Sequence, residues 1–218
     1  MIKAVLFDIG HTLEDHRKSN KKFIHLCIEL SILDERKSRR ILRELVRKKR
    51  AKNPYIVLGH SDGFRRDVAE ALGIPYEKLT QEFSRTYEKE ARLMPGALFM
   101  LKELKKEGIK IGAIANASRR FTEIFFKRFG LEKYFDCIVL SDETGARKPS
   151  PLIFRKALDE LNVKPSEAVM VGNRLDNDVV PAKKLGMQTV LVAGGPQTRK
   201  GVKPNRIIHC LRELLEYV

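Results

Sequence analysis

The sequence predicts an α/β protein: a parallel sheet sandwiched by helices, interrupted once by an all-helical insert. Three observations carry this. Ala4-Val5-Leu6-Phe7 is an apolar run of strand length that ends at a carboxylate, Asp8. From Met94 onward short apolar runs alternate with amphipathic stretches, as right-handed βαβ units require, and three of those stretches are closed by a glycine. Between them, Glu14 to Leu93 has helical periodicity and almost no strand character.

In the first run, Gly10 is expected to let the backbone turn close to whatever Asp8 touches. The insert carries apolar stripes at Phe23, Ile24, Cys27 and Ile28, then at Ile41, Leu42, Leu45 and Val46. Asn53-Pro54, Gly59 and Gly73-Ile74-Pro75 punctuate it. Leaving the first strand just after Asp8, it is expected to form a lid over the carboxyl edge of the sheet. Ala97–Glu107 reads as a helix with Leu98, Leu101 and Leu104 on one face and Gly108 as its stop. Ile109–Ala115 follows as a buried strand, Arg119–Phe129 as a helix stopped by Gly130, and Cys137–Leu140 as a strand. Leu152–Leu161 is helical, Ala168–Val171 a strand and Asp178–Leu185 a helix closed by Gly186. Gln188–Val192 makes one more strand and Leu211–Tyr217 a terminal docking helix. The domain division is therefore 1–13 with 94–218, and 14–93.

Composition limits the functional classes. Of the 218 residues, 43% are hydrophobic and 33% charged, the balance of a soluble globular protein. No run approaches the roughly 18 apolar residues of a membrane span, so no membrane partner is expected. The short apolar start, ending at Asp8, does not read as a signal peptide. Cys27, Cys137 and Cys210 are odd in number and widely spaced, which fits free thiols in a reducing cytoplasm. The net charge of +15 favours anionic partners.

Four loops fall at strand ends: Asp8, Asn116, Lys148, and Asn173 to Asp178. In a parallel sheet all four open on one edge, where α/β proteins bind ligands. Two carboxylates there suit a hard cation such as Mg²⁺, and a lysine can neutralise phosphoryl oxygens. Gly172 is expected to let its strand turn sharply, and the helix beginning at Asp178 to aim its dipole at an anion.

The stretches FDIGHTL, MPGALFMLKELKKEGIKIGAIANAS, FDCIVLSDETGARKPSPLIFRKAL and AVMVGNRLDNDVVPAKKLGM resemble the haloacid dehalogenase (HAD) superfamily, in its branch with a helical cap after the first motif. The resemblance covers most of 1–13 and 94–192 in the family's order. It implies a Rossmann-like core, Asp8 as a nucleophile forming an aspartyl-phosphate, and Lys148 as its catalytic partner. It also implies phosphate binding at Asn116, Ala117 and Lys148. The Mg²⁺ site it implies consists of Asp8, the Gly10 backbone carbonyl, Asn173 and Asp178.

Three positions depart from the family. Gly10 stands where active phosphatases carry a second Asp as general acid and base, a loss that typically costs 10²–10⁴-fold. Ala115 replaces a phosphate-binding Ser or Thr, and Asn173 replaces a charged metal ligand. His11 stands where the family has Gly; it is a candidate substitute proton donor, though a local backbone or hinge role is the stronger reading. Asp178 is expected to cap its helix while ligating metal, and Ser118 to cap the helix at Arg119. Asp176 and Asn177 read as turn formers, and Arg174 equally as an anion contact or a solvated residue.

The leading expectation is a Mg²⁺-dependent phosphatase acting on a small anionic phosphate monoester. A non-catalytic HAD-like protein, binding nucleic acid or an acidic partner through its cap, is the first rival. A metal-free 2-haloacid dehalogenase is the second. The helix from Arg36 to Lys52 holds ten cations against Glu44. Nucleic acid is the weaker option for it, because no aromatic side chain interleaves the charges.

Overall fold

A computed structural model describes residues 1–52, 58–193 and 202–218, with Lys52 described through its backbone only. The Asn53-Pro54 punctuation expected from sequence and the Lys52 side chain lie outside the described residues.

The chain divides into two compact units. The first comprises Met1–Asp15, Leu93–Arg119 and Phe126–Val218; the second comprises His16–Arg92 with Arg120–Phe125. The first unit is built on a parallel sheet of β1 (Ala4–Phe7), β2 (Lys110–Ala115), β3 (Cys137–Leu140), β4 (Ala168–Gly172), β5 (Gln188–Val192) and β6 (Arg206–Ile208). Among the described residues the sheet order is β3-β2-β1-β4-β5-β6. This Rossmann-like arrangement places β1 at the centre, with Phe7 registered against Ala113 on one side and Val171 on the other. Flanked on both edges and covered on both faces, all four β1 residues are fully buried, which is why the run is continuously apolar.

The connecting helices are α5 (Ala97–Lys106), α6 (Arg119–Phe129), α7 (Ser141–Thr144), α8 (Pro151–Leu161) and α9 (Val180–Lys184). One core cluster joins Leu6, Ile114 and Met170 of the sheet to Ile153, Phe154 and Leu161 of α8. Gly112 makes that contact close: a Cβ there would stand 2.4 Å from Leu6 Cδ2 and 2.8 Å from Cys137 Sγ.

The second unit holds α1 (Arg17–Leu30), α2 (Glu35–Lys52), α3 (Asp62–Leu72) and α4 (Tyr76–Glu90), with a short 3₁₀ turn at Leu58–His60. Its centre is aromatic. Phe23 meets Phe83 edge to face at 5.0 Å, and His60 stacks on Phe121 at 4.7 Å. Arg65, almost wholly buried, donates to the Gly59 carbonyl at 2.6 Å and pairs with Asp62 at 3.0 Å, so its charge is compensated where it sits.

Several expectations need correction. The helix expected over Asp178–Leu185 begins earlier, as a π-type turn over Leu175–Val179, and only Val180–Lys184 is α-helical. The free N–H groups of this helical run therefore lie at Leu175 and not at Asp178, which sits inside the turn instead of capping it. The terminal segment Leu211–Glu216 is a 3₁₀ helix, and Arg206–Ile208 is an edge strand the periodicity missed because three residues show no alternation. At α6, Ser118 makes no side-chain cap; the Arg119 N–H donates to Asp142 Oδ2 at 2.9 Å, and that carboxylate replaces the hydroxyl.

Candidate active site

The site forms where β1, β2 and β4 end and the loop after β3 returns. Asp8 follows the last residue of β1, and its N–H donates to the Val171 carbonyl at 2.9 Å, so the backbone stays in register with β4 through that residue. The turn after it closes tightly, with the N–H groups of Thr12, Leu13 and Glu14 donating to the Ile9 carbonyl at 3.2, 2.9 and 2.9 Å. His11 takes the left-handed conformation in this turn, at φ 60°. The conformational demand assigned to Gly10 from sequence therefore falls on its neighbour.

Lys148 is the centre of the site. Its Nζ donates to Asp8 Oδ1 at 2.6 Å and to Asp178 Oδ1 at 2.7 Å. The lysine side chain is 2% exposed, against 13% for Asp8 and 1% for Asp178. These are charge-assisted hydrogen bonds in a setting water barely enters, and their partners fix the ammonium from two sides. The remaining carboxylate oxygens are also engaged. Thr12 Oγ1 donates to Asp8 Oδ2 at 3.3 Å, and the Arg174 N–H donates to Asp178 Oδ2 at 3.0 Å.

Electrostatics follow from burial and these partners. Burial favours loss of the Lys148 proton, but the charges of Asp178 and Asp8 outweigh it and hold the ammonium above its usual range. Burial pushes the Asp178 carboxyl up, to about 6; Lys148 opposes the rise and Asp8 adds to it. Two carboxylates and one ammonium leave this buried group one negative charge in excess.

The Asn116 side chain positions the lysine. Its Nδ2 donates to the Lys148 carbonyl at 2.9 Å and its Oδ1 accepts from the Lys148 N–H at 2.8 Å. The amide thus clamps the lysine backbone across two loops, and its side chain is used for positioning. Ala117 follows it at the end of β2, and Ala115, the last strand residue, is buried with no hydroxyl to offer. Asn173 is buried immediately after β4. Arg174 is turned to Asp176, at 2.8 Å, so the pair stabilises the loop.

Gly172 has a steric reason, and not the sharp turn expected of it. A Cβ there would lie 2.4 Å from Asp178 Oδ2 and 2.5 Å from its Cβ, so only glycine admits the carboxylate to this place. Sequence reasoning also missed Thr12 as a partner of Asp8. Its position four residues on, in a turn that returns to Ile9, was the available signal.

The oxygen donors fit a hard divalent cation in kind. Asp8 and Asp178 could offer carboxylates, Asn173 an amide and Gly10 a carbonyl, and the excess negative charge is what a cation would neutralise. Among the described residues no helix is long and apolar enough to cross a membrane.

The chain is 34% identical to a glyceraldehyde 3-phosphate phosphatase of Methanopyrus kandleri, with all of this chain and 97% of that protein aligned. A glyceraldehyde 3-phosphate phosphatase of Methanothermobacter thermautotrophicus is 30% identical over 88% of this chain and 86% of its own. Among solved structures, a HAD phosphatase from Thermococcus onnurineus superposes with a TM-score of 0.77 at 26% identity, covering 99% of this chain and 97% of that one. The magnesium-bound HAD-hydrolase YfnB from Bacillus subtilis shares the fold, with a TM-score of 0.73 at 18% identity over 99% and 98% of the two chains. The sequence pattern of the haloacid dehalogenase-like hydrolases matches residues 5–192, and the chain belongs to that family.

Proposed function

We propose that this protein is a Mg²⁺-dependent phosphatase that hydrolyses a small phosphate monoester through an aspartyl-phosphate on Asp8. The observation that carries the reading is the buried Asp8–Lys148–Asp178 group, with Lys148 Nζ at 2.6 and 2.7 Å from the two carboxylates. Full-length similarity to phosphatases supports the reaction class, and glyceraldehyde 3-phosphate, the compound in those relatives' names, is the first substrate to try.

Asp8 attacks phosphorus, the ester oxygen departs with the bond's electron pair, and water then cleaves the acyl-phosphate to free Asp8 and inorganic phosphate. Lys148 orients Asp8 through the 2.6 Å hydrogen bond to its Oδ1, and its ammonium balances charge on the phosphoryl oxygens. Asn116 fixes the lysine backbone, while the backbone amides around Asn116 and Ala117 take phosphoryl oxygens. Mg²⁺, held by Asp8, Asp178, Asn173 and the Gly10 carbonyl, would neutralise phosphoryl charge. Gly10 provides no general acid, so the leaving alkoxide draws its proton from water, and turnover is slow for the family. Residues 14–93 serve as the substrate-selecting cap domain, and 1–13 with 94–218 as the catalytic core. We place the protein in the cytoplasm, in keeping with its three free cysteines.

The test is phosphate release from glyceraldehyde 3-phosphate and p-nitrophenyl phosphate, with Mg²⁺ or EDTA, by the wild type and Asp8→Asn. Release requiring both Mg²⁺ and Asp8 is expected. Equal rates with the Asn variant would overturn the nucleophile assignment. Halide release from 2-chloropropionate in EDTA would transfer the protein to the dehalogenases.

A further inference from the structure

Helices α1 and α2 of the second unit enclose a groove of about 680 Å³ that the phosphatase reading does not use. Its floor is apolar: Ile24 and Ile28 from α1, Leu42 and Val46 from α2. Leu42 is buried, but Ile24, Ile28 and Val46 stay partly exposed to the groove. Its rim is cationic, formed by Arg17 and Lys21 on α1 and Arg39, Arg43, Arg47 and Arg50 on α2.

This pattern comes from helical spacing. On α1, Arg17, Lys21, Ile24 and Ile28 fall at intervals of four, three and four, with Asn20 beside Lys21; on α2 the lining residues recur at intervals of three and four from Arg39 to Arg50. Apolar residues therefore line the trough and arginines stand above it, along roughly 16 Å of α2. Little acidic charge answers the rim cations of α2. Glu35 holds Arg39 at 2.5 Å, and Glu44 is engaged with Lys48. Among the described residues Lys21, Arg47 and Arg50 form no salt bridge.

We propose that this groove binds a free single-chain anionic amphiphile: an alkyl chain along the Ile24–Ile28–Val46 trough, its carboxylate or phosphate head among the rim arginines. The volume is that of a small-molecule site, with apolar walls and a few charged groups to fix orientation. A polyanion alone would leave the apolar floor wet, and among the described residues no aromatic side chain lines the groove to stack a base. A second copy of the chain brings a further +15 of charge against the same rim.

The experiment is a fluorescence titration of the full protein with 11-(dansylamino)undecanoic acid, a carboxylate no phosphatase consumes. Saturable binding is expected, weakened about tenfold by Arg43→Glu/Arg47→Glu. The double variant Lys37→Glu/Lys48→Glu changes the same charge on the opposite face of α2 and should leave binding within twofold. Ile28→Gln, checked for helicity by circular dichroism, makes the trough polar without altering net charge and should weaken binding. Alkanoate competitors should strengthen by up to roughly fourfold for each added methylene. Equal losses from both double variants would overturn the proposal. So would competitors indifferent to chain length, displacement by single-stranded DNA alone, or binding only to phosphatidylglycerol vesicles.

Discussion

Replacing Lys148 with methionine tests the electrostatic core of the site. The change keeps the stem and removes the ammonium that stands 2.6 Å from Asp8 and 2.7 Å from Asp178. Two carboxylates, 13% and 1% exposed, then face each other with no cation between them. Removing one partner of a buried ion pair typically costs 3–5 kcal/mol, because the remaining charge has lost its compensation. With an unfolding entropy near 2.1 cal/mol/K per residue, the 218-residue chain should lose about 7–11 °C of Tm in EDTA at pH 8. The sign of the pH effect follows. Already in the wild type, the Asp178 carboxyl is raised to about 6. An acid with a raised folded value favours the folded state at low pH and loses that contribution as pH rises through the folded value. In the variant the rise is larger, so the deficit should shrink by more than half at pH 5, where a proton replaces the missing ammonium. Melts of both proteins at pH 5 and pH 8, in EDTA, read this directly. A deficit below 2 °C, or one independent of pH, would refute the argument that Lys148 compensates the two acids.

Gly172→Ala places a methyl 2.4 Å from Asp178 Oδ2. It should lower phosphatase turnover about 10²-fold through displacement of that carboxylate, measured as kcat at saturating Mg²⁺. Gly10→Asp, which places a carboxylate two residues from the nucleophile, should raise turnover on an alkyl phosphate by 10²-fold or more, whereas His11→Asn, which tolerates the left-handed backbone there, should change it less than about threefold. A large loss in the asparagine variant would make His11 the proton donor. Burial pushes the thiols of Cys27 and Cys137 up, the latter to about 12, while Cys210 is only partly buried. Titration with Ellman's reagent should therefore find one thiol reacting quickly in the native protein and three after denaturation.

The sequence determined the architecture because its information there is local and repeated. Apolar runs of strand length, helical stripes and glycine stops each bias a few residues, and together they leave only an alternating α/β chain with a helical insert. The order of Asp8, Asn116, Lys148 and Asp178 also placed these residues at strand ends, since connectivity in a parallel sheet sends all such ends to one edge. Tertiary structure decided what each one touches. That Asn116 spends its amide on the Lys148 backbone depends on two loops 32 residues apart, and no spacing rule encodes that contact. Gly172 could be explained only once Asp178 was seen beside it, because a missing side chain leaves no sign in sequence of what fills its place. The π-type turn that carries Asp178 is likewise fixed by packing: hydrophobic period alone cannot separate it from the start of an α-helix. The cationic groove divides in the same way: its charges are written in the chain, while the apolar trough beneath them exists only where α1 lies against α2.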